Sequence, residues 1–154
     1  MSPVLKVLPL VHYDSALALP AYESDGAAGM DLRACLAPED RSGLILPSLG
    51  RAMVSTGLSM EIPKGFEGQV RPRSGLAAKH GLTVLNSPGT IDSDYRGELK
   101  VLLVNLGAEN FTLTHGERIA QLVIAPVVQA DVQVADALTT TDRGSGGFGS
   151  TGTE

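Results

Sequence analysis

Apolar positions recur along this chain with a period close to two, the spacing at which successive side chains of a strand point to opposite faces. Val4, Leu5, Val7 and Leu8 open it with an apolar segment that Pro9 limits. After a turn-rich stretch at 20–29, residues 30–36 alternate as a half-buried strand would. Leu44–Leu46 is a short apolar run closed by Pro47. Residues 54–62 alternate again, with Val54, Leu58, Met60 and Ile62 as inward side chains, until the turn Pro63-Lys64-Gly65 ends the segment. Residues 97–106 predict a central strand, 119–128 a similar one as far as Pro126, and 132–134 a weak last strand. The helix signal reduces to a turn or two at 75–80, before Gly81. No window sustains the i, i+3, i+4, i+7 stripe of an amphipathic helix. Many short strands separated by turn signals predict an all-β barrel or sandwich.

Composition sharpens this picture. A chain of 154 residues fits one domain. Aromatics make up only 4% and Trp is absent, so the core must be aliphatic, while 18 Gly and 9 Pro suit a turn-rich barrel. The lone cysteine, Cys35, has no partner for an intrachain disulfide and reads as a buried, inert thiol. With no signal-peptide pattern and no apolar run of membrane-spanning length, the expected location is cytoplasmic. A formal net charge of −5 argues against a broad basic face for nucleic acid, but not against a small anion held by a few aimed donors.

Four segments carry candidate chemistry. Residues 89–98, Gly-Thr-Ile-Asp-Ser-Asp-Tyr-Arg-Gly-Glu, set acids and bases just before an apolar strand, where a carboxylate can serve as general base for water. Asp92 and Asp94 share a face if the segment is extended, so spacing alone does not choose between them. Residues 71–77 place Arg71 and Arg73 beside Ser74 and Gly75. These donors suit phosphate oxygens, above all if a helix starts after an N-capping Ser74. Residues 116–122 open a strand in which Gln121, among apolar neighbours, needs a hydrogen-bond partner. The Thr/Ser/Gly-rich end, 139–154, has the composition of a disordered tail, yet its Arg143 and Phe148 also fit a lid that orders around phosphates and a base. Walker A, G-x-G-x-x-G, H-E-x-x-H and G-x-S-x-G patterns are all absent. His12, His80 and His115 lie too far apart to show ligand spacing.

Taken together, residues 28–32 (Ala-Gly-Met-Asp-Leu), 71–77, 89–98, 116–122 and 143–152 resemble, in order and spacing, the five motifs of the trimeric dUTPases. That resemblance implies a distorted, jelly-roll-like β-barrel with one very short helix, assembled as a threefold homotrimer with shared active sites. It divides the chain into a barrel, 1–138, and a flexible Gly-rich arm, 139–154, that closes over the site. The implied reaction is hydrolysis of dUTP to dUMP and pyrophosphate, which keeps uracil out of DNA and supplies dUMP for thymidylate synthesis.

Position by position, the resemblance makes Asp92 the base that activates water for attack on the α-phosphorus. Tyr95 becomes a platform under the deoxyribose that leaves no room for a 2′-hydroxyl. Asn86, with backbone groups of Gly89, Thr90 and Ile91 in a hairpin at 82–91, would read uracil. Arg73, Ser74, Gly75 and Gln121 would hold phosphates, Lys100 is a further ligand contact, Arg143 would clamp the terminal phosphate, and Phe148 with Gly149 would cover the base. The implied cofactor is Mg2+, held by the phosphates and water, with Asp31 acting through those waters or orienting an arginine rather than ligating the ion. The rivals are a dCTP deaminase of the same fold and a non-catalytic dUTP-binding regulator.

Overall fold

A computed structural model describes residues 2–147. Its strands are β1 (Lys6–Pro9), β2 (Met30–Arg33), β3 (Leu44–Leu46), β4 (Arg51–Glu61), β5 (Phe66–Pro72), β6 (Leu82–Val84), β7 (Gly89–Ile91), β8 (Glu98–Asn105), β9 (Phe111–Leu113) and β10 (Arg118–Pro126), with one α-helix, α1 (Ser74–His80), between β5 and β6 and a 3-10 turn at Pro38–Asp40. They form two four-stranded sheets, β1-β4-β8-β6 and β2-β10-β5-β7, and a two-stranded ribbon, β3-β9. All pairings are antiparallel. The result is a distorted, jelly-roll-like barrel with a single short α-helix among the described residues.

The barrel closes on aliphatic side chains. Leu32, Leu46, Leu82, Leu103, Leu113, Ile119 and Leu122 are fully buried, and no aromatic joins them among the described residues. Each such side chain contributes about 1.5–3 kcal/mol of burial. Val54, Leu58, Met60 and Ile62 all face inward as their alternation requires. Thr56 falls in the same inward row, and its hydroxyl donates to Leu99 O at 2.5 Å, so the polar atom is satisfied. Asn105 is also wholly buried. Its amide donates to Leu46 O at 3.0 Å and Glu109 O at 2.8 Å, tying β3 to the loop after β8.

Several elements depart from the sequence pattern. Residues 30–36 are not a half-buried strand: Met30, Asp31 and Leu32 are all buried, because arginine side chains cover the face that Asp31 occupies. No strand forms at 132–134, where Val132 and Val134 are exposed. Alternation does not make a strand without a neighbouring edge to pair with. The 82–91 segment is not a paired hairpin, since β6 bonds to β8 and β7 bonds to β5, so its loop passes from one sheet to the other. Finally, Arg73 rather than Ser74 takes the N-cap position, with extended backbone (φ −88°, ψ 126°) and no side-chain cap. Ser74 is instead the first helical residue. At the other end Gly81 stops α1 in the left-handed region (φ 67°), and a Cβ there would stand 2.6 Å from Gly107 N.

Candidate active site

The connection between β7 and β8 is a turn, in which Tyr95 N–H donates to Asp92 O at 3.2 Å. The segment is therefore not extended, and Asp92 and Asp94 do not share a strand face. Asp92 lines two adjoining cavities of about 440 and 840 Å³, whereas Asp94 lines only the larger. The smaller is walled by Met53, Thr90, Ile91, Asp92, Tyr95, Glu98 and Lys100. Thr90, Ile91, Asp92, Tyr95 and Lys100, all singled out from sequence, thus converge on one cleft. Asn86 sits on the exposed loop before β7, close enough that a Cβ on the buried Gly89 would meet its Nδ2 at 3.3 Å.

Glu98 is a member that sequence reasoning passed over. Its Oε1 accepts from Gly57 N at 2.9 Å and from the Ser55 hydroxyl, and lies 2.9 Å from His12 Nε2. Its Oε2 faces Lys100 Nζ at 3.6 Å. Burial pushes the carboxyl's pKa up, but the hydrogen bonds from Ser55, His12 and Gly57 outweigh it and hold the group below its ordinary range. The donors are brought there by a β-bulge: the β4–β8 register shifts between Ser55 and Ser59, and Gly57 occupies it at φ 69°. In the sequence, the one available signal was that Glu98 and Lys100, two apart on a strand, share a face.

A second cluster forms across β2, β10 and β5. Gln121 sits opposite Asp31 on one side and Arg71 on the other. The Asp31 carboxylate is only 8% exposed, with Oδ1 3.2 Å from Arg73 Nε and Oδ2 3.0 Å from Arg118 Nη1. Gln121 Nε2 lies 3.5 Å from Oδ1, which supplies the partner that its apolar neighbourhood demanded. Arg73 also donates to Arg118 O at 3.3 Å. Arg118 is the other side chain that sequence reasoning did not single out, because it reads as an ordinary strand opening until the sheet brings it over Asp31. Ser74 and Gly75 are exposed at the start of α1, with open space beside Gly75.

The two clusters lie toward opposite ends of β5. β7 pairs with β5 through Gly68↔Ile91, Gln69↔Thr90 and Val70↔Gly89, so Asp92, one residue past the ladder, lies toward the Glu67 end of β5. Arg73 lies six positions further along, about 20 Å at the usual rise per residue. Arg143 is exposed, its Nε donating to Gly146 O at 2.9 Å, and it lines neither cavity. Phe148 and Gly149 lie outside the described residues. Among the described residues no three His, Cys, Asp or Glu gather as a metal cage, and no helix is long and apolar enough to cross a membrane.

The model of the dUTPase family matches residues 15–152. The deoxyuridine 5'-triphosphate nucleotidohydrolase of Mesorhizobium japonicum is 64% identical over 153 residues, covering 99% of this chain and 93% of that protein. The protein of the same name from Rhizobium meliloti is 61% identical over 154 residues, covering 100% and 94%. Among solved structures, the dUTPase of Staphylococcus bacteriophage 80alpha with dUPNHPP superposes with a TM-score of 0.83 at 24% identity, covering 97% of this chain and 98% of that one. At that identity the likeness speaks for the fold alone.

Proposed function

Because this chain belongs to the dUTPase family, we propose that it hydrolyses dUTP to dUMP and pyrophosphate. The observation that carries the reading is the cleft in which Asp92, the residue that would activate water, stands with Tyr95, Thr90, Ile91 and Lys100. Asp92 is exposed there, so a water molecule can reach it and lose a proton to it before attacking the α-phosphorus in line. Tyr95 supports the deoxyribose. Asn86, Gly89 and the backbone of β7 read the uracil edge, where a mismatched base leaves buried polar groups unpaired. Lys100 offers a cation from the next strand.

The phosphates go to the second cluster. Arg73 and Arg118 are held in place by Asp31, leaving their remaining donors for anionic oxygens, with Gln121, Ser74 and Gly75 beside them. A backbone separation of about 20 Å along a single chain favours a site in which two subunits supply the two clusters, as a homotrimer sharing its sites would. Arg143, Phe148 and Gly149 would come with the 139–154 arm, closing over the triphosphate and the base to exclude water.

The donor set also bears on Mg2+. Asp31 has both oxygens engaged by arginines, and the described residues offer no cage. Such a site fits an ion that arrives on the triphosphate with its own waters, in keeping with the reluctance of Mg2+ to dehydrate. Asp31 then acts by orienting Arg73 and Arg118. When bound, the ion neutralises charge on the leaving pyrophosphate.

The test compares pyrophosphate release from dUTP, dTTP, dCTP and UTP by the wild type, Asp92→Asn and Asp94→Asn. dUTP should be strongly preferred, and Asp92→Asn should lose roughly 10²–10⁴-fold in turnover, the usual contribution of a positioned base. Asp94→Asn should be milder, since Asp94 does not line the smaller cleft. The reverse ranking would reassign the base. Ammonia release from dCTP would replace this reading with a deaminase.

A further inference from the structure

Nothing in the backbone explains why residue 97 is a glycine. Its φ lies outside the left-handed region, where Gly43, Gly57, Gly65, Gly81, Gly116 and Gly144 sit. What a side chain there would meet is the ring of Tyr95. An added Cβ would collide with the phenolic oxygen, stand 2.6 Å from Cζ and 2.9 Å from Cε2, and these are its three nearest neighbours. The ring therefore lies directly on the bare Cα of Gly97. It is pinned at its far end as well, because the hydroxyl donates to Glu98 O at 3.0 Å. Glu98 in turn is tied down by Gly57 N, Ser55 and His12, so the seat is the fixed partner and the ring is the part that must yield.

We propose that Gly97 is a positioning residue of the nucleotide site, its missing side chain setting the height at which Tyr95 stands in the cleft and hence the depth of the sugar slot. This rests on the reading of Tyr95 as the deoxyribose platform. A methyl at residue 97 lifts the ring into the cleft lined by Asp92 and Lys100. The nucleotide then rides off the line between its α-phosphorus and the base. A displacement on the scale of a methyl group is ordinarily felt about tenfold or more in a snug site.

A double-mutant cycle on the full-length protein tests it: wild type, Gly97→Ala, Tyr95→Ala and the double variant, with KM and kcat for dUTP and for UTP. Gly97→Ala should lower kcat for dUTP roughly tenfold with a smaller rise in KM, while adding it to Tyr95→Ala should change nothing further. The chain has only three tyrosines. In ring-labelled protein, Gly97→Ala should therefore shift the resonance that Tyr95→Phe identifies and leave those of Tyr13 and Tyr22 in place. An equal effect of Gly97→Ala in both backgrounds, or an unmoved Tyr95 resonance, overturns the inference while leaving the site reading intact. Should Tyr95→Ala itself leave dUTP kinetics and the dUTP/UTP preference unchanged, the platform reading fails, and the inference with it.

Discussion

Asp31→Asn removes one negative charge from beneath two guanidiniums while leaving the side chain nearly the same size. In the native protein that carboxylate is 8% exposed and bonded on both oxygens, to Arg73 at 3.2 Å and Arg118 at 3.0 Å. Breaking a buried ion pair by removing one partner ordinarily costs about 3–5 kcal/mol, because the remaining charge keeps its desolvation penalty. Arg73 is 26% exposed and bears most of that cost, whereas Arg118 at 41% is largely served by solvent and contributes little. Discounting for it leaves about 2–3 kcal/mol, or roughly 4–12 °C in melting temperature for a chain of this length. The asparagine amide keeps one acceptor but points its NH2 at the second guanidinium, so one of the two arginines should lose its fixed aim. Thermal melts at matched protein concentration and dUTP saturation curves read the two effects together. A lowered melting temperature with a raised KM is expected. A variant that melts with the wild type and binds dUTP equally well would refute the idea that Asp31 organises the cationic cluster.

Two further outcomes follow from the same geometry. Glu98 titrates below its ordinary value of 4.5 because its hydrogen bonds outweigh its burial. A carboxylate depressed in the folded state stabilises the protein above its unfolded pKa and loses that contribution as pH falls through the folded value. The wild type should therefore lose stability from about pH 4.5 downward, and Glu98→Gln should flatten that slope in pH-dependent urea unfolding; identical slopes would remove Glu98 as a titrating anchor. Deleting 139–154 should abolish most dUTP turnover while leaving circular dichroism, melting temperature and assembly unchanged, since the described part of that stretch is largely exposed and pairs with no strand; a truncated protein that fails to assemble would contradict its role as a lid.

Much of the barrel is written locally. The inward row Val54, Leu58, Met60 and Ile62, the run at β8 and the aliphatic core all follow from which side chains prefer burial at a period of two. The weak strand at 132–134 failed for a complementary reason: a local pattern states a preference for a ladder but does not provide the facing edge. Asp92, Tyr95, Arg73, Ser74 and Gln121 could be singled out as candidates because they sit in contiguous motifs. Glu98 and Arg118 were not, although both lie inside those same motifs. Their importance comes from Ser55, Gly57 and His12 in one case, and from Asp31 in the other, all distant along the chain.

The sequence by itself determined the all-β class, the single short α-helix, the aliphatic interior and the motifs from which candidate site residues are drawn, since each depends on side-chain character and near-neighbour spacing. Only the tertiary structure decided which of those residues meet. Register sets Ile91 opposite Gly68, with Asp92 just beyond, and puts Arg73 past the other end of β5, so the two clusters separate along one strand. A bulge in β4 turns Gly57 and Ser55 onto Glu98. Gly97 lies flat beneath Tyr95. Sheet pairing brings together positions that chain distance keeps apart, and no local preference encodes which pairing will form.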